Sequence, residues 1–148
     1  METNGSGWTA INGCWNGSDV DYWLGIFRRR LSMSDYENAS LYEDAHAAGE
    51  LAANVCVPTP MYVKYNGTTE CFEDGACGFA SIIIRPARGK FVSYLKKNEI
   101  GDKHWQSGWS IFVSGWGQSY ERKTAYARAF ARILNESGLK AHVESRLD

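Results

Sequence analysis

The run Cys77-Gly78-Phe79-Ala80-Ser81-Ile82-Ile83-Ile84 constrains this chain more than any other. Read at the two-residue period of a strand, it is largely apolar on both faces, so it needs cover on both sides and reads as the central strand of a sheet. Arg85-Pro86-Ala87-Arg88-Gly89-Lys90 breaks it, because proline cannot donate to a ladder. The rest of the fold has to be arranged around this strand.

Upstream, Ser34-Asp35-Tyr36-Glu37 has the form of a capping box and predicts a helix after it. Leu41, Ala45, Ala48, Ala52 and Val55 recur at helical spacing, a narrow stripe of mostly small residues that lets another element approach closely, and Pro58 and Pro60 end the helix. His46, between Tyr42 and Glu50, is expected to make a surface hydrogen bond. The period then changes to two over Met61–Tyr65 and Thr68–Phe72, with Asn66-Gly67 between, a pair that tolerates the positive φ of a type I′ hairpin turn.

Downstream, Phe91, Val92 and Leu95 predict a short helix ending near Asn98, with Lys96 and Lys97 suited to its C-terminal dipole. Ile100 to Gly108 reads as a loop and Trp109 to Trp116 as a strand, Ile111 and Val113 facing one way and Phe112 the other. The longest helix is expected from about Ser119 to Ser137, stopped by Gly138, with a last strand near Ala141 to Arg146. The fold predicted is α+β: a single small domain over 34–148, with one mainly antiparallel sheet of about five strands backed by two or three helices. Residues 1–33, with Trp8, Trp15, Trp23 and Arg28-Arg29-Arg30, read as an irregular N-terminal arm.

A chain of 148 residues is long enough for one ordinary core, hiding roughly 68–70% of the unfolded chain's surface. No apolar run approaches the roughly 20 residues of a membrane span, and Met1-Glu2-Thr3-Asn4 lacks the pattern of a signal peptide. The expectation is a cytoplasmic protein without a membrane partner. Cys14, Cys56, Cys71 and Cys77 are then expected as reduced thiols; the five residues between Cys71 and Cys77 do not match a zinc knuckle, and neither metal nor cofactor is expected.

Charge is divided unevenly. Through Ala80 there are four Lys/Arg against eleven Asp/Glu, net −7, and from Ser81 onward twelve against six, net +6. A basic, aromatic second half points to an anion-binding surface or to halves that attract each other. Ser114-Gly115-Trp116-Gly117-Gln118-Ser119 leads onto the start of the long helix, where unpaired N–H groups favour an anion, and Arg122 and Lys123 lie in its first turn. Lys123 falls on the apolar stripe of Ala127, Phe130 and Leu134, so it either snorkels past the core or meets an anion. Arg85, Arg88 and Lys90 form a second basic cluster. The candidate ligand-binding set is therefore Arg85, Arg88, Lys90, Trp116, Arg122 and Lys123, on the expectation that both clusters share one end of the sheet. Trp105, Trp109, Trp116 and Tyr120 are candidates for stacking nucleobases beside them. No nucleophile elbow or phosphate loop is present, and His104 and His142 are the candidates for acid–base work if there is any.

Several blocks together carry a family resemblance over roughly Leu51 to Asp148: Cys56-Val57-Pro58-Thr59-Pro60-Met61, Cys77-Gly78-Phe79-Ala80, Pro86-Ala87-Arg88-Gly89-Lys90-Phe91, Tyr94-Leu95-Lys96-Lys97-Asn98, Gln118-Ser119-Tyr120-Glu121-Arg122-Lys123 and Ser145-Arg146-Leu147-Asp148. In this combination the chain resembles a family of small accessory proteins of tailed bacteriophages. It departs from that pattern at Ser81, where a Trp is common, and at Ser107-Gly108, where a Gly-Gly pair is common. The resemblance implies a phage origin and expression in the bacterial cytoplasm, and it assigns no catalytic residues. The leading expectation is a non-enzymatic counter-defence protein that sequesters a phosphate-bearing nucleotide ligand or blocks a host defence protein. The alternatives are a single-stranded nucleic-acid-binding protein of phage replication or recombination, and a small hydrolase or transferase. A homo-oligomer is compatible with each.

Overall fold

The computed structural model describes residues 33–148. Trp8, Trp15, Trp23, Cys14 and the Arg28–Arg30 run of the expected arm lie outside them. In chain order the elements are α1 (Met33–Val55), β1 (Met61–Tyr65), β2 (Thr68–Phe72), β3 (Gly78–Ile84), α2 (Lys90–Lys97), β4 (Asp102–Lys103), β5 (Trp109–Phe112), α3 (Tyr120–Glu136) and β6 (Ala141–Leu147). The architecture is α+β, as the alternation of periods predicts.

The doubly apolar run is indeed central. A four-stranded antiparallel sheet runs β4-β5-β3-β6, and β3 pairs along its length with β6 and through Ser81–Ile84 with β5. Ala80, Ile82 and Ile84 of β3 share one face with Ile111 of β5, and with Val113 just beyond it they form the core with Phe91, Val92 and Leu95 of α2 and Ala127, Phe130 and Leu134 of α3. Each such Ile, Leu or Phe stabilises the fold by roughly 1.5–3 kcal/mol through removal of its side chain from water.

α1 lies against α3, and the residues that allow it are small. Ala45 and Ala53 are fully buried and Gly49 is buried between them, whereas Val55 is 71% exposed. The contact stripe is thus Ala45-Gly49-Ala53, one position round from the expected one, because Gly49 counts as space rather than as an apolar side chain. The helix already includes Ser34, so Ser34-Asp35-Tyr36-Glu37 lies within it instead of preceding it.

The other helix ends follow their local chemistry. Gly89, at φ +112, precedes α2. Gly138, at φ +89, stops α3 and turns the chain toward β6. Asn135 fastens that turn from both sides, its amide nitrogen donating to the Ala141 carbonyl and its amide oxygen accepting from the Ala141 N–H, each at 2.9 Å.

The hairpin forms as Asn66-Gly67 requires, with φ of 48° and 82° at the two turn residues. Among the described residues its strands pair with each other alone, as a separate two-stranded sheet. The strands therefore divide four and two, and the hairpin does not extend the main sheet, whose edge strands are β4 and β6. No helix among the described residues is long and apolar enough to cross a membrane.

Candidate binding site on the open sheet face

Alternation along β3 sends Phe79, Ser81 and Ile83 to the face opposite the helices. Register then assembles the rest: Arg146 of β6 stands opposite Phe79, Phe112 of β5 and Glu144 of β6 flank Ser81, and Ser110 and His142 flank Ile83. The Phe79 and Phe112 rings lie 6.2 Å apart at 37°. The Arg146 guanidinium sits over the Phe79 ring at 5.3 Å and the Lys123 ammonium at 5.5 Å. A cation over an aromatic face is attracted by roughly 0.5–1 kcal/mol where exposed, more where dry. Phe112 is 54% exposed and Trp105, at the rim, 80% exposed.

One end of this face is closed. The loop after β4 folds back over the sheet so that His104 Nε2 reaches the Glu144 carboxylate at 3.2 Å, while Nδ1 lies 3.2 Å from the Ser107 carbonyl oxygen. Ile83, although it points to the open face, is thereby almost wholly buried, as is His104. The same carboxylate also meets His142 Nε2 at 3.4 Å and the Arg85 guanidinium at 3.6 Å. A shallow recess of about 500 Å³ runs from this latch, with His104 and Glu144 in its lining, over Phe79, Ser81, Phe112 and Arg146.

The six residues expected to share one site do not converge. Arg85, Arg88 and Lys90 follow the Ile84 end of β3, whereas Trp116, Arg122 and Lys123 lie at its Gly78 end, where the Gly78 N–H donates to the Gln118 carbonyl. The seven-residue strand holds the two groups about 20 Å apart at the ordinary rise per residue.

Three of the six, Arg85, Trp116 and Lys123, are also engaged locally. Arg85 donates to the Ser107 carbonyl, while Arg88 and Lys90 are exposed on the loop and at the first turn of α2. Trp116 packs on Tyr126 at 5.0 Å and faces the Asn54 side chain. Arg122 carries a buried Nε without a hydrogen-bond partner among the described residues. Lys123 is 4% exposed and donates to the Gly78 carbonyl at 3.3 Å, so its ammonium neither snorkels to water nor meets an anion but is held by a backbone oxygen inside the fold.

The start of α3 is closed to an anion too. The Tyr120 N–H donates to the Ala76 carbonyl, Ser119 is fully buried, and Cys77 bridges to Ser119. The four aromatics proposed to stack bases are dispersed as well. Trp109 lies on the helix side of the sheet, donating to the Ile100 carbonyl beneath Lys96, and Tyr120 bonds Ser145. Of that set Trp105 alone borders the open face.

Phe79, Phe112 and Arg146 were not singled out by the sequence, although a signal existed. Phe79-Ser81-Ile83, Ser110-Phe112 and His142-Glu144-Arg146 are each a two-residue alternation of the face away from the helices. His46 does what its position predicts, meeting Glu50 at 3.5 Å and stacking on Tyr42, and it adds a 2.6 Å bond to the Tyr126 hydroxyl. Cys56, Cys71 and Cys77 are free thiols. Comparison of the chain with family models, curated proteins and solved structures gives no match.

Proposed function

We propose that this protein acts by binding a nucleotide, free or as the unit of a single strand, on the open face of its four-stranded sheet. The observation that carries the reading is the Phe79–Phe112 ring pair with Arg146 over it, at the uncovered end of that face. Rings of this kind stack any nucleobase, for about 1–3 kcal/mol per base, and a guanidinium beside them takes the phosphate. Lys123 adds positive charge from beneath, held in place by the Gly78 carbonyl. Lys123 apart, the site is thus a different one from the residue set that the sequence favours.

Binding is favoured over catalysis by the state of His104, whose two ring nitrogens both face acceptors, Ser107 O and Glu144. A general base needs a nitrogen free to take a proton from its substrate. In the phage setting implied by the family resemblance, such a protein counters host defence by sequestering a nucleotide.

Calorimetric titration with mononucleotides and with short single-stranded oligonucleotides tests this. Saturable binding is expected, weakened roughly 5- to 150-fold by Phe79→Ala and made less salt-dependent by Arg146→Ala. Binding confined to oligonucleotides assigns the site to single-stranded nucleic acid, and the absence of heat with both ligand types defeats the proposal.

A further inference from the structure

The hairpin β1–β2 is the most exposed apolar element among the described residues. Tyr62 is 66% exposed, Tyr65 75%, Phe72 45% and Val63 40%, and no residue of either strand is buried. Among the described residues neither face of the hairpin rests on the core and neither outer edge pairs with another strand, and a lone two-stranded hairpin is marginal in water. Such an element is completed by a further strand.

Charge and register decide which edge and which occupant. Glu70 lies at the centre of β2, so two β2 edges meeting about a two-fold axis would set Glu70 against Glu70. The β1 edge has no such conflict. Antiparallel pairing of β1 with its own copy, centred on Val63, places Val63 opposite Val63, Tyr62 opposite Lys64 and Met61 opposite Tyr65. The first and third pairs are apolar, and the second sets an ammonium against a phenol ring. Within each hairpin Met61 is already opposite Phe72 and Val63 opposite Glu70. The pairing therefore joins Phe72, Met61, Val63 and Tyr65 of both copies into one apolar stripe on a four-stranded sheet.

From this we infer that the protein self-associates through the β1 edge, as a two-fold dimer of hairpins. Such an interface is small and the association correspondingly weak and concentration-dependent. The binding face described above is on a different sheet.

Sedimentation of the full chain from micromolar to millimolar concentration tests the inference. The expected result is a shift from monomer toward a species of twice the mass. Val63→Asp and Val63→Lys, each alone, place like charges opposite each other at the axis and weaken association at least about tenfold. An equimolar mixture of the two variants pairs Asp with Lys and restores the dimer, which separates a lost interface from a misfolded hairpin. A wild-type chain that remains monomeric throughout, a dimer that both variants retain, or a mixture that stays monomeric overturns it.

Discussion

Gly49 sits in the interior of a 23-residue helix, a place where glycine ordinarily costs about 1 kcal/mol relative to alanine. Its reason is on the neighbouring helix: a Cβ there would stand 2.6 Å from Cδ2 and Cε2 of Tyr126. The ring cannot readily yield. Its hydroxyl is bonded to His46 Nδ1 at 2.6 Å, and its faces meet Trp116 and Phe130 at centroid distances of 5.0 and 5.8 Å. Overpacking of this kind costs typically about 1–3 kcal/mol, which outweighs the propensity gain. Gly49→Ala is therefore expected to lower stability by up to about 2 kcal/mol in urea unfolding, against the sign that helix propensity alone gives. A raised midpoint would show that α1 and α3 can part without loss.

At the scale of elements the hairpin and the main sheet are separable, and Gly67 tests this. Its φ of +82° suits glycine, and a Cβ there would meet nothing within 4 Å, so Gly67→Ala carries backbone strain but no clash. That strain is about 1–2 kcal/mol and falls on β1–β2 alone. Amide exchange should quicken in Met61–Phe72 while the Ile82–Ile84 amides keep wild-type protection and the thermal midpoint barely moves. Simultaneous loss of protection in β3 would mean that the hairpin is part of the main cooperative unit. The hairpin was legible in the sequence for the reason that makes it independent: its turn and its alternation are local. The helices were legible likewise, from periodicity and from Pro58 and Gly138. What could not be read were relations between strands. Phe79 meets Phe112 and Arg146 only through the registers of β3 with β5 and β6, which join residues 33 and 67 positions apart. Arg85 and Lys123 were grouped by charge, and the same strand order parts them.

At the scale of the whole molecule, each of the three helices among the described residues contributes a phenol: Tyr42 in α1, Tyr94 in α2 and Tyr126 in α3. Tyr42 packs edge-on against Phe130 at 5.7 Å, and Tyr94 stacks on Phe91 at 6.4 Å. All three titrate above the ordinary tyrosine range, first because burial disfavours the phenolate, then because neighbouring groups add negative charge: Tyr94 and Glu43 at Tyr42, Glu43 and Asp35 at Tyr94, and Tyr42 and Glu50 at Tyr126. The sign follows directly. A phenol whose folded pKa lies above its unfolded value of about 10 holds its proton longer in the native state, so the native chain binds more protons than the unfolded one above that pH. Stability is then full below about pH 10 and declines as pH rises through the folded values, by up to about 1.4 kcal/mol per pH unit for the buried Tyr126. Tyr126→Phe removes this contribution and also the bond to His46. It should be less stable than wild type at pH 7, by about 0.5–1.5 kcal/mol, yet lose stability more gradually above pH 10. Urea unfolding at pH 7, 9, 10 and 11 resolves the two effects. Parallel pH profiles for variant and wild type would show that the phenol at the centre of the helix layer opens to water before it ionises.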